Sequence, residues 1–162
     1  MSIGIADSEK MQFSIALAGT RDIASWMALA EQVTPLFGPM PDFEAVLERK
    51  ILRKQAFCAR RTSGTAIAGG MLIGGTGTEF WIRWLAVSPE HWRHGIGIML
   101  VKTAIAKAPA NSVIYVDTFA EGSAGADAAG GLYSSCSFEP TEIWTRDGVT
   151  RQRYARKPAE LL

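Results

Sequence analysis

Apolar positions recur along this chain with two periods, and the switches between them lay out its elements. MQFSIALA (11–18) alternates in part and predicts a first strand. In TRDIASWMALAEQV, Ile23, Trp26, Met27 and Ala30 recur at helical spacing, with Thr20 as N-cap and Asp22 in the first turn, where the helix dipole favours an acid. TPLFGPMPD (34–42) holds three prolines and a glycine, which predicts that the helix stops before it. Asp42 then caps a second helix, FEAVLERKILRKQ. Phe43, Val46, Leu47 and Ile51 form its apolar face, and Arg49, Lys50, Arg53 and Lys54 lie toward its negative end.

The middle of the chain changes to short apolar runs. AFCARRT (56–62), AIAGGMLIGG (66–75) and EFWIRWLAV (79–87) read as three strands. SGT, with Gly64 free to take a positive φ, and TGT join them. Pro89 ends the third. GIMLVKTAIAKA reads as a helix stopped by Pro109, and SVIYVDTFA (112–120) as a strand covered on both faces. EGSAGADAAGG (121–131) is either a loop or the start of a short helix running through LYSSC. The tail predicts a hairpin with Asp147–Gly148 as its turn. The order β α α β β β α β α β β predicts an α/β (α+β) fold, a mixed sheet with helices on both faces.

Composition narrows the class without changing this picture. The chain has 162 residues with 48% hydrophobic and 20% charged positions, consistent with one globular domain over 10–158 and a loose leader at 1–9. A net charge of +1 provides no field that would gather nucleic acid or a membrane surface. Cys58 and Cys136 lie far apart and outside any paired-thiol motif, and Cys136 reads as a buried structural cysteine. With neither a signal segment nor an apolar membrane span, a soluble, cytoplasmic protein is expected. His91 and His94 lack a third ligand nearby, so no metal is expected. Arg151, Arg153, Arg156 and Lys157 read as a solvated edge strand.

The stretch HWRHGIGIML (91–100) follows a strand and opens a helix, an order that places unpaired backbone N–H groups at a helix N-terminus, where an anion binds. A Walker loop is excluded because Ile98 and Met99 follow the glycines. A dinucleotide fingerprint fits poorly, because Leu100 stands where a third small residue belongs. A pyrophosphate loop for coenzyme A and a ligand-free, glycine-eased helix start both remain.

The wider stretch LAVSPEHWRHGIGIMLV resembles the central motif of the GNAT superfamily of acyl-CoA N-acyltransferases. GLYSSCSFEP resembles the family's second signature, and TPLFGPMPDFEAVLERKI its helix-loop-helix arm. Trp92 stands where the family has Arg or Gln, and Ser137 where it has Gly. The resemblance implies a mostly antiparallel sheet of about seven strands. It implies acetyl-CoA as cosubstrate and an N-acetyltransferase acting on a primary amine of a small-molecule or peptide acceptor. A non-catalytic acyl-CoA sensor is the other class it allows. Leu85, Ala86 and Val87 would offer the strand edge to pantetheine, with the Val87 N–H toward the thioester oxygen. The amides of Arg93, His94, Gly95, Ile96, Gly97 and Ile98 would hold the pyrophosphate. Tyr133 matches the family's general acid.

For a base, Glu79 shares one strand face with residues 81, 83, 85 and 87, which could bring it to the cleft through a water, and Asp117, inside an apolar strand, is the other candidate carboxylate, also a candidate for binding the acceptor. Phe37, Met40 and Phe43 are candidates for an apolar acceptor wall. The edge strands and the C-terminal hairpin are compatible with a homodimer.

Overall fold

The computed structural model describes residues 12–158; the leader at 1–9 lies outside the described residues. Four α-helices and seven strands are present among them: β1 (Phe13–Leu17), α1 (Ile23–Phe37), α2 (Phe43–Leu52), β2 (Ala56–Arg61), β3 (Ile67–Thr76), β4 (Glu79–Val87), α3 (Ile96–Lys107), β5 (Val113–Phe119), α4 (Ala126–Ser135), β6 (Glu139–Arg146) and β7 (Val149–Arg156). The strands form one sheet in the order β1-β2-β3-β4-β5-β7-β6. β4 pairs in parallel with β5 from Glu79 to Ile82, while β1–β2, β2–β3, β5–β7 and β6–β7 are antiparallel. This is the mixed sheet expected from the element order, and mostly antiparallel with seven strands as the family resemblance implies. No helix among the described residues is long and apolar enough to cross a membrane.

The chain divides into two compact units, Met1–Leu72 with Trp84–Leu100, and Ile73–Arg83 with Val101–Leu162. In the first unit, two adjacent glycines on β3 admit one close neighbour on each sheet face. A Cβ at Gly70 would lie 2.7 Å from the Trp26 ring of α1. A Cβ at Gly69, on the opposite face, would lie 3.0 Å from the Ala86 carbonyl and 3.1 Å from Ile96 of α3. Trp26, fully buried, packs in turn near Trp84, whose ring also meets Phe37 and Phe43. Beside this core, Asp22 is 3% exposed. One carboxylate oxygen accepts from the Gly19 N–H at 2.9 Å and the other from Arg60 at 2.8 Å. Arg60 donates on to the Cys58 sulfur at 2.9 Å.

Several sequence expectations are corrected here. α1 does not stop at residue 33 but runs through Pro35 to Phe37. Pro35 removes only the bond to the Glu31 carbonyl, and both positions are exposed, so no buried acceptor is left unmet. The Thr34 hydroxyl meanwhile donates to the Ala30 carbonyl, and the ladder resumes with Gly38 N–H to Thr34 O at 2.8 Å. At the other end, Thr20 lies inside a 3-10 turn whose N-cap is Gly19, and Asp22 precedes α1. Asp42 occupies the α2 N-cap but makes no side-chain capping bond. Gly64 is not among the positive-φ residues, whereas Gly75 and Gly77 at the next turn are.

In the second unit β7 is no edge strand. It lies between β5 and β6, so its arginines cross a sheet instead of lining a border. Arg153 stacks 4.7 Å over Trp81, and Arg151 sits 6.0 Å from the Phe119 ring. β5 buries Ile114, Val116 and Thr118 but leaves its other face half-exposed, so it is covered less fully than expected. The small-residue segment resolves into α4, entered from Gly125 at φ 86°. Asp147 and Gly148 both have positive φ, as a tight hairpin turn requires.

α4 ends in a reciprocal pair of bonds, Phe138 N–H to Tyr133 O at 3.0 Å and Ser137 N–H to Ser134 O at 3.2 Å. This closure needs a left-handed residue at Ser137, which has φ 69°. Serine there bears ~1–2 kcal/mol of steric cost, against the ~0.5–1 kcal/mol that glycine loses to backbone entropy. Ser137→Gly is therefore expected to stabilise the protein by ~0.5–1 kcal/mol in urea denaturation, and a destabilised variant would contradict this account of the cap.

Candidate functional site

The site begins where β4 ends. Trp84 and Ala86 are buried and alternate with half-buried Leu85 and Val87. Ser88, 3% exposed, donates its N–H to the Ala68 carbonyl on β3 at 2.8 Å. Pro89 opens a single 3-10 turn, Pro89–His91, closed by His91 N–H to Ser88 O at 2.8 Å. The backbone then takes a positive φ at Arg93 (68°) and Gly95 (78°), which re-aims the chain into α3. Gly95 meets this need without strain, and Arg93 accepts it at ~1–2 kcal/mol.

The Gly95 carbonyl accepts the first helical bond, from the Met99 N–H at 3.0 Å. The N–H groups of Ile96, Gly97 and Ile98 then have no acceptor one turn earlier in the helix. Ile96 is 1% exposed and anchors this first turn against Gly69, while Gly95, Arg93 and His94 face solvent. Unpaired amides, the positive end of a helix dipole and an exposed guanidinium together fit a phosphate-bearing ligand. His91 and His94 both pack on Phe13 of β1, with ring centroids 5.9 and 6.0 Å away, so an aromatic contact holds the loop from beneath.

Trp92 is half-exposed, and its indole Nε1 donates to the Val87 carbonyl at 2.8 Å. Sequence reasoning registered only that Trp92 replaces Arg or Gln. The one local signal for the bond is the Pro89 turn, which folds residue 92 back toward 87.

In the second unit Tyr133 is 4% exposed on α4, with the rings of Phe138 and Tyr154 at 5.6 and 5.8 Å. Burial pushes its phenol well above the usual tyrosine range, and Cys136 adds to the shift. It therefore holds its proton throughout the ordinary pH range. Glu79 is exposed at the start of β4. Asp117 is committed elsewhere: Arg153 grips both its oxygens, at 2.8 and 3.1 Å, and also reaches Glu142 at 2.8 Å. Both members of the Asp117–Arg153 pair are largely shielded, so this carboxylate is bound in a structural network.

Among the acceptor candidates, Phe37 and Phe43 pack on Trp84, with ring centroids at 5.6 and 4.9 Å. Met40 and Phe43 also line a shallow groove of about 480 Å³ along α1, together with Met27, Thr34 and Glu31.

A sequence profile of the Acetyltransferase (GNAT) family matches residues 23–138, most of the chain. The chain belongs to the GNAT family. Solved structures agree at the level of the fold. A NatC complex bound to Gag peptide and CoA superposes with TM-score 0.73 at 19% identity, covering 92% of this chain and 100% of that one. A ribosomal-protein alanine N-acetyltransferase from Escherichia coli gives 0.70 at 18% identity, covering 92% and 96%. A GNAT-family acetyltransferase from Bacillus cereus gives 0.72 at 13% identity, covering 91% and 99%. No curated protein matches the chain significantly.

In this GNAT chain the buried Tyr133 carries a pH signature. Below pH ~10 both folded and unfolded states hold the proton; above it the unfolded chain releases a proton that the fold retains, so stability falls as pH rises. A loss on the order of 0.8 kcal/mol is expected by pH ~10.5 in urea denaturation, absent from Tyr133→Phe. A slope unchanged by that substitution would mean Tyr133 titrates normally.

Proposed function

We propose that this protein is an acetyl-CoA-dependent N-acetyltransferase that acetylates a primary amine of a small molecule or peptide by direct attack. GNAT membership supports acetyl transfer in general terms. The observation that carries the reading here is the turn at 93–98, where the first amides of α3 lack a helical acceptor beside the end of β4.

Acetyl-CoA supplies the acetyl group as an activated thioester. The amides of Ile96, Gly97 and Ile98, with Arg93, bind its diphosphate, and β4 residues Leu85 to Val87 align pantetheine. The Val87 N–H polarises the acyl carbonyl, a preorganised donor that needs no particular side chain. Tyr133, protonated at neutral pH, is the family-matched acid: as the C–N bond forms and the C–S bond breaks, its proton passes to the departing thiolate. The proton shed by the amine nitrogen as it becomes an amide returns to the Tyr133 phenolate, so a neutral incoming amine needs no further base, which accords with Asp117 being bound to Arg153. A peptide amine is within the proposed acceptor class, and the structurally similar NatC complex was solved with a peptide.

Release of free thiol from acetyl-CoA across an amine panel tests the reading. Turnover with at least one amine is expected; acetyl-CoA binding without thiol release from any amine would instead make the protein an acyl-CoA sensor. Gly97→Glu, which adds negative charge at the helix N-terminus, is expected to abolish CoA binding in calorimetry. Tyr133→Phe is expected to lower kcat by ~100-fold with CoA affinity retained. Normal CoA binding by the glutamate variant would remove the phosphate role from the loop.

A further inference from the structure

We infer that Trp92 is a positioning residue that pins the peptide between Val87 and Ser88 and, through the extended torsions of Val87, keeps the Val87 N–H turned toward the acyl group. The inference rests on the acetyl-transfer reading, but its geometry lies within the first unit. Two bonds hold this one peptide plane. On one end the Ser88 N–H donates to Ala68 O at 2.8 Å. On the other the Val87 carbonyl accepts the Trp92 indole N–H at 2.8 Å.

Backbone groups of neighbouring strand residues point to opposite sides. With the Ser88 N–H directed at β3, the Val87 N–H and C=O are directed away from it. The indole meets the carbonyl on that far side. The Val87 N–H belongs to the preceding peptide, but Val87 is extended at the end of β4, so its N–H and C=O lie on the same side and the carbonyl pinned by the indole keeps that N–H there. A carbonyl already holding a donor is also a poorer partner for the amides of an incoming chain. Ligand is thus steered toward the N–H of this residue and away from its C=O.

The surroundings support a dedicated role. Trp92 is 50% exposed, so hydrophobic burial does not account for a tryptophan here. The ring is held instead by its polar edge. The 3-10 turn before it and the left-handed Arg93 after it, at φ 68°, bring the side chain back over the strand end. The backbone conformation is costly for a non-glycine residue, and it is used where the site is built.

Trp92→Phe removes the donor and keeps the ring, and half-exposure makes loss of the fold unexpected; a thermal melt checks this. In the variant, hydrogen exchange at the Ser88 amide, measured without ligand, should speed up ~10-fold as the peptide loosens. Because the Val87 N–H meets only the acyl group, the affinity for CoA itself should stay within ~2-fold while acetyl-CoA weakens ~5-fold relative to it, and kcat should fall ~10-fold. Equal weakening of CoA and acetyl-CoA would overturn the proposal, since the indole would then be touching the cofactor. Unchanged Ser88 exchange would overturn it too. A wild-type protein that binds neither ligand would sink the acetyl-transfer reading instead, and the ligand-free exchange measurement tells that failure apart from failure of the latch.

Discussion

The close approach at Gly69 is the constraint on which the candidate site depends. Any side chain there would press on the Ala86 carbonyl at 3.0 Å and on Ile96 at 3.1 Å. Its absence lets the first residue of α3 reach the sheet surface and be buried to 1% exposure. That contact fixes the N-terminus of the helix beside the last residues of β4. The first amides of α3, which lack a helical acceptor, are therefore held by packing of a buried isoleucine, not by the exposed loop alone. The neighbouring Ser88–Ala68 bond ties the strand end to the same place on β3.

Gly70 does the equivalent service on the opposite face, where Trp26 lies against the bare backbone. Through Trp84 the same aromatic cluster extends to Phe37 and Phe43. The arm between α1 and α2 is thus anchored to β4 by rings. Phe37 and Phe43 are held in place by this packing, and Met40 and Phe43 line the groove along α1. Buried side chains support the backbone groups proposed to bind the cosubstrate, so the binding edge is preformed and its recognition costs little ordering.

Much of the fold was legible because it is local. The alternation of EFWIRWLAV matched β4 end to end, and Asp147–Gly148 formed the expected turn with both residues at positive φ. What stayed hidden depended on partners distant in sequence or on solvent. The internal place of β7 is a matter of strand order, which no local pattern encodes. Asp117 looked like a spare carboxylate until Arg153, 36 residues away, was seen to bind both its oxygens. Pro35 looked like a stop signal, yet it falls near a helix end at an exposed position, where the missing bond is cheap. Of the candidate site, the glycine turn was readable from its strand-turn-helix order. The Trp92–Val87 bond was not, because the Pro89 turn signals only that the chain folds back, not that the indole N–H meets the Val87 carbonyl.

The central claim is that backbone amides at the end of β4 and the start of α3 form the cosubstrate site. Amide-resolved NMR titration with acetyl-CoA, repeated with CoA, tests this most directly. The account predicts that the amides of Ile96, Gly97 and Ile98 shift equally with both ligands and that the Val87 amide shifts further with acetyl-CoA than with CoA. Saturable binding that leaves the amides of 96–98 unmoved would contradict it.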